Sequence, residues 1–190
     1  MGFKEAKKYI SELHKKQDDP YLWPDYLTGL PDKNAIVQKI REVYDQLGKQ
    51  SIAIIRIANI QPYLIKYGPD KHAAIIQWAA GILKTTVDKH KGFVGACCTH
   101  DFVAVCNTKN LGSFINEASR LFEKKALTFY NKEDLKKGKV LSFMREGRKI
   151  DIGFMKFIVC SISDKAQVPK DKILPHIGKL CLEIEKGQYP

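Results

Sequence analysis

The sequence predicts an α+β fold, a central mixed β-sheet with helices packed on it. Three observations lead there. Segments with apolar residues at helical spacing interleave with short β-branched or aromatic runs, so both element types must share one core. Two strand-like runs, Phe93 to Cys97 and Phe102 to Cys106, are separated only by Cys98-Thr99-His100-Asp101. A link that short joins antiparallel neighbours, which argues against a doubly wound parallel sheet. A chain of 190 residues has the length of one domain and can bury its own core without staples.

Taken in order, residues 4 to 16 read as a lysine-rich helix with Ile10 and Leu13 on one side, stopped by Asp18-Asp19-Pro20. A solitary leading helix commonly links an output domain to an upstream sensor. Residues 1–20 are therefore expected to be a linker helix, residues 21–190 the domain, and the chain a piece of something longer. Asp32 can cap a helix to about Leu47, with Ile36, Ile40, Val43, Tyr44 and Leu47 as its apolar stripe and Gly48 at its end. Ser51 to Ile57 is a buried strand, and residues 58–68 read as a loop. A helix after Asp70 uses Ile75, Trp78, Ala79, Ile82 and Leu83. The two hairpin strands follow, then a helix over Leu111 to Lys125 burying Phe114, Ile115, Ala118, Leu121 and Phe122. A polar, basic insertion at about 127–150 comes next. Phe154 to Ile162 returns as an apolar strand. Asp171 to Lys186 closes the chain as a helix through Ile173, Ile177, Leu180 and Ile184, with Pro175 in the first turn, where it is tolerated.

Composition narrows the function. Hydrophobic residues make up 44% and charged residues 28%, as in an ordinary soluble domain. No apolar run approaches the roughly 20 residues needed to cross a bilayer. The amino terminus lacks an apolar signal core and the Ser or Thr of a myristoylation site. A cytoplasmic location without a membrane partner is expected. The five cysteines, at 97, 98, 106, 160 and 181, form no C-x-x-C pair and no zinc-like spacing. Neither a metal nor a disulfide framework is expected. The net charge of +11 invites a nucleic-acid reading, and Lys124 to Lys149 holds nine Lys/Arg against three acids. That region has no interleaved aromatic platform of the kind single-strand binders use, so nucleic-acid binding is not expected.

The segment Asp25-Tyr26-Leu27-Thr28-Gly29-Leu30-Pro31 resembles the opening signature of the GGDEF family, the domain of bacterial diguanylate cyclases, which reads D-x-L-T-G-L-x-N. Cys98-Thr99-His100-Asp101-Phe102 falls where that family carries Gly-Gly-Asp/Glu-Glu-Phe, and only its last acidic and aromatic positions are kept. The likeness runs from about Asp25 to Ile162. It includes Tyr130-Asn131-Lys132-Glu133-Asp134, Arg145-Glu146-Gly147-Arg148 and Cys160-Ser161-Ile162-Ser163, similar to an insertion-bearing subgroup.

The resemblance implies a fold like the palm of nucleotide cyclases and polymerases. It also implies condensation of two GTP into cyclic di-GMP, each active site shared across a dimer. That chemistry needs paired carboxylates holding Mg²⁺, from the end of the first strand and from the signature turn. Here Arg56 stands at the first-strand position, a cation that cannot be deprotonated. Cys98 and Thr99 replace the two glycines and His100 the catalytic acid, while Asp101 keeps a carboxylate. The base-reading positions fall on Leu64 and Ala73, the post-strand Phe and Lys on Ile60 and Gln61, and the inhibitory R-x-x-D on Lys89-His90-Lys91-Gly92. Lys179 or Lys186 would stand for a phosphate-binding Lys.

The resemblance therefore implies a degenerate, catalytically inactive domain, with Arg56, His100 and Asp101 as vestigial site positions. It would act as a regulatory or interaction module in bacterial cyclic di-GMP signalling, its partner a protein or another GGDEF domain. The alternatives are a non-catalytic receptor for GTP or another purine nucleotide and a residual cyclase. No cofactor is expected, with magnesium needed only if cyclase activity is retained. Arg56 and Asp101 would either pair across adjacent strands in place of the metal, or leave Arg56 to contact a phosphate. His100 is either a ligand or base beside Asp101 or merely solvated; His72, His90 and His176 receive no role.

Overall fold

A computed structural model describes residues 2–16, 25–165 and 168–187. The Asp18-Asp19-Pro20 stop lies outside them, as does the Ile177 side chain. Among the described residues, seven α-helices and six strands run in the order α1 (Gly2–Lys16), α2 (Lys33–Val43), β1 (Gln50–Ala58), α3 (Ile60–Tyr67), α4 (His72–Lys89), β2 (Phe93–Cys98), β3 (Asp101–Asn107), α5 (Thr108–Ala126), α6 (Lys132–Lys137), β4 (Leu141–Arg145), β5 (Arg148–Ile152), β6 (Lys156–Ile162) and α7 (Ile173–Gly187). The main sheet has the order β2-β3-β1-β6. The α+β architecture is the expected one, but every strand pairing in it is antiparallel, where the sequence reading was mixed.

Side chains alternate along a strand, so β1 serves two cores. Ala53, Ile55 and Ile57 join residues of α4 and α5 in one cluster. Ile52, Ile54 and Ala58 join residues of α2 and α7 in the other. Covering both faces explains why β1 reads as a nearly unbroken apolar run. Arg56 interrupts it in register with Ile54 and Ala58, which places its side chain on the α7 face.

One expectation is corrected and two are extended. The segment after β1 is not a loop. Asn59 adopts a left-handed backbone (φ 62°) and the helix α3 starts directly after it, burying Ile60 and Tyr63. The basic insertion is folded, with α6 capped by Asn131 and a β4–β5 hairpin standing outside the main sheet. Its anchor is Asp134, 2% exposed, which accepts from Lys66 Nζ at 2.5 Å and from the Tyr67 hydroxyl. Charge density concealed this segment, because its one buried carboxylate looks in sequence like its solvated neighbours. Finally, the helix α1 packs on the domain. Ala6 and Leu13 are fully buried, and Phe3 meets Trp78 of α4 edge-on at 6.2 Å. Among the described residues no helix is long and apolar enough to cross a membrane.

Candidate functional site

The opening signature folds as a closed turn. Asp25 Oδ1 accepts from the Thr28 backbone N–H at 2.8 Å and from its hydroxyl at 2.5 Å, and Asp25 N–H donates to the Leu30 carbonyl at 3.1 Å. Gly29 completes the turn at φ 68°, a conformation that disfavours other residues. The turn delivers Pro31 to β2, where its carbonyl accepts from Ala96 N–H at 2.9 Å. At Gly95 a Cβ would lie 2.8 Å from that carbonyl and 2.6 Å from Ile36. Asp25, Leu27, Thr28, Gly29, Leu30 and Pro31 thus build the wall behind the hairpin, and Asp32 caps α2 by accepting from Ala35 N–H at 3.0 Å.

The hairpin brings the candidate residues together. In the β1–β3 register Arg56 lies directly opposite Asp101. Its Nε and Nη2 donate to the two carboxylate oxygens at 2.8 and 2.7 Å, a bidentate pair. The side chains are only 13% and 16% exposed. Glu185 of α7 stands 3.6 Å from Arg56 Nη1. The hydrogen bond to Asp101 outweighs burial and pushes the Arg56 pKa up. One guanidinium facing two carboxylates gives the cluster an excess negative charge, so a phosphate approaching Arg56 meets repulsion as well as attraction. Beside it lies a cavity of about 340 Å³ walled by Ile60, Gln61, Cys98, Thr99 and Leu182.

The turn itself needs no glycine. Cys98, Thr99 and His100 are not among the positive-φ residues, and the register shifts between Ala96 and Cys98 as a bulge. The His100 carbonyl accepts from Ile57 N–H at 3.0 Å, tying the turn to β1. Its imidazole is not merely solvated. His100 Nε2 lies 2.8 Å from His72 Nε2 at the start of α4, with ring centroids 5.1 Å apart. The two nitrogens are within hydrogen-bond distance, one ring donating its N–H and the other accepting. Burial, then His72, and then Arg56 push the His100 pKa down, with Asp101 opposing. Phe102 is fully buried beneath the turn.

Among the other positions, Leu64 packs half-buried on the core, while Ala73 and Gln61 are exposed. Lys89 ends α4, and His90 and Lys91 form the turn after it, with Lys91 at φ 52°. Lys179 lies 3.8 Å from Glu183, one turn along α7. Sequence reasoning missed two participants, His72 and Glu185. Neither has a spacing signal, because the fold brings them to the turn from α4 and α7.

The residues present do not fit a magnesium cage. Both Asp101 oxygens are committed to Arg56, and His100 is committed to His72. Among the described residues no group of three or more His, Cys, Asp or Glu could hold a metal ion.

The fold is similar to that of solved GGDEF domains. The structure is similar to that of the diguanylate cyclase SiaD from Pseudomonas aeruginosa, in complex with its activator SiaC (TM-score 0.61, 10% identity, covering 95% of this chain and 64% of that one). It is also similar to the GGDEF domain of DgcB from Caulobacter crescentus in complex with c-di-GMP (0.56, 11%, 87% and 88%) and to the FimX GGDEF domain from Pseudomonas aeruginosa (0.52, 14%, 86% and 93%). No protein-family model matches the sequence, and neither does any curated protein. At these identities the likeness is one of fold.

Proposed function

We propose that this domain is a catalytically inactive GGDEF-type domain that acts as a regulatory interaction module. The observation that carries the reading is the bidentate Arg56–Asp101 pair, in which a fixed cation occupies the space a metal-binding carboxylate would need. A two-metal phosphoryl-transfer site neutralises the attacking and leaving oxygens with divalent ions. Here one carboxylate survives, and its charge is already matched. The domain accordingly needs no magnesium, and its retained framework serves recognition by a protein or by another GGDEF domain. The solved complex of SiaD with its activator SiaC supports protein recognition by this fold as a mode of control.

Two measurements test the reading. Incubation at high protein concentration with GTP and Mg²⁺ or Mn²⁺, followed by mass spectrometry, should yield no cyclic di-GMP; product that disappears in Asp101→Ala refutes inactivity. Titration of the domain into an active diguanylate cyclase should change that enzyme's rate. An unchanged rate at saturating domain would remove the proposed pairing with a second GGDEF domain.

A further inference from the structure

We propose a second ligand site, on the sheet face opposite the Arg56 side chain, for a small planar ring that carries a phosphate or carboxylate. It is the groove between the end of α5 and the approach to β6. The groove encloses about 530 Å³, within the roughly 300–1,000 Å³ typical of small-molecule sites. It is lined by Arg120, Glu123, Lys124 and Leu127 of α5 and its continuation and by Phe154, Met155 and Lys156 before and at the start of β6.

The walls are set in advance. Asn59 Nδ2 donates to the Phe154 carbonyl at 3.0 Å, and the Tyr130 hydroxyl accepts from Met155 N–H at 2.9 Å. The α5 chain continues into a 3₁₀ turn over Leu127–Phe129, closed by Tyr130 N–H to the Leu127 carbonyl at 3.3 Å. A preset backbone lowers the ordering cost of binding. Its surface has two characters. Leu127 is 40% exposed, and the Phe154 ring, backed by Tyr130 at 4.6 Å between centroids, offers an aromatic wall. Arg120, Lys124 and Lys156 outnumber Glu123, and none of them forms an ion pair among the described residues. Lys124 is partly occupied over the Phe3 ring, 5.7 Å away. Arg120 and Lys156 remain to meet an anion.

The contrast with the signature turn favours this groove. The cation there, Arg56, is neutralised by Asp101 and approached by Glu185; the cations here are not. An apolar wall facing uncommitted cations selects a ring for stacking and an acidic group for charge-assisted hydrogen bonds. The inference goes beyond the function proposed above and stands whether or not the turn is catalytically inactive.

Calorimetry on the full chain with flavin mononucleotide, guanosine monophosphate and 4-hydroxybenzoate tests it, with inorganic phosphate as the ring-free arm. At least one ring-bearing anion should bind with Kd below about 100 μM. Arg120→Ala and Lys156→Ala should each weaken it about tenfold, one charge-assisted contact. Gln61→Ala, in the signature-turn cavity, should leave it unchanged. The phosphate and carboxylate probes distinguish the two acidic groups. Binding by inorganic phosphate of equal strength, binding insensitive to Arg120 and Lys156, or no saturation by any ring-bearing probe at about 1 mM would overturn the site. Each altered side chain reaches solvent, so the thermal midpoint should be retained and serves as the folding control.

Discussion

Asp101→Ala tests whether the Arg56 pair is a structural element of the sheet. The substitution leaves a guanidinium that is 13% exposed with one remaining acid, Glu185, at 3.6 Å. Removing one member of a fully buried ion pair costs about 3–5 kcal/mol. Residual solvent access and Glu185 reduce this to about 2–3 kcal/mol. For a domain of this size that lowers the thermal midpoint by about 4–12 °C. Replacing both members, Arg56→Met with Asp101→Leu, removes the charges together and places apolar groups beside Ile54 and Ala58 on the α7 face. The double variant should fall within about 1 kcal/mol of the parent, because neither desolvation penalty remains. Urea unfolding at pH 7.5, followed by circular dichroism, gives the cycle when Arg56→Met and Asp101→Leu are measured as its two single variants. A coupling of about 2 kcal/mol is expected. A loss below about 0.5 kcal/mol for Asp101→Ala, with no coupling, would show a solvated guanidinium and refute the reasoning.

Three further outcomes follow from the geometry. Gly95→Ala places a Cβ 2.6 Å from Ile36 and 2.8 Å from the Pro31 carbonyl, and should cost about 1–3 kcal/mol in the same urea assay; a neutral variant would mean that the opening turn does not seat on β2. Because the folded His100 pKa lies below its ordinary 6.5, the unfolded chain binds more protons there as pH falls. That contribution to stability is complete above pH 6.5 and declines below it, with a slope of up to about 1.4 kcal/mol per pH unit. His100→Asn should flatten the slope between pH 7 and 5, and an unchanged slope would count against the His72–His100 bond. Cys98 is the exposed thiol, whereas burial first, and then Cys98, push Cys97 up to about 11, and burial pushes Cys181 up to about 12. Titration with a disulfide reagent at pH 8 should therefore show one fast thiol in the native protein and five in denaturant. Two or more fast thiols would contradict the packing around β2 and β6.

Elements whose side chains repeat with a clear period were legible before any coordinates. The β1 run, the hairpin and the stripe Ile36, Ile40 and Val43 each bury the residues their spacing singles out. The Arg56–Asp101 juxtaposition was expected only as one of two alternatives under the family resemblance; α3, α4 and β2 lie between β1 and β3, so spacing alone does not fix their register. Periodicity failed in two places for different reasons. Eight residues of α3 are too few to display a stripe, and its entrance depends on Asn59 adopting a left-handed backbone that composition does not reveal. The insertion hides its anchor because Asp134 is buried only through Lys66 and Tyr67, both distant in sequence. His72 and Glu185 reach the turn by tertiary packing alone.

The order of the main sheet sets how Arg56 and Asp101 can be released. They sit on β1 and β3, the two strands with a hydrogen-bonded neighbour on each side, while β2 and β6 form the margins. They form the last pair of the β1–β3 ladder, beside the hairpin turn, and separation of β2 or β6 does not by itself part them. Amide hydrogen exchange along the middle of β1 and β3 should consequently follow the opening of the whole domain rather than local breathing, and an effector that acts at the turn must do so by repositioning α4 or α7 around an unmoving pair of strands.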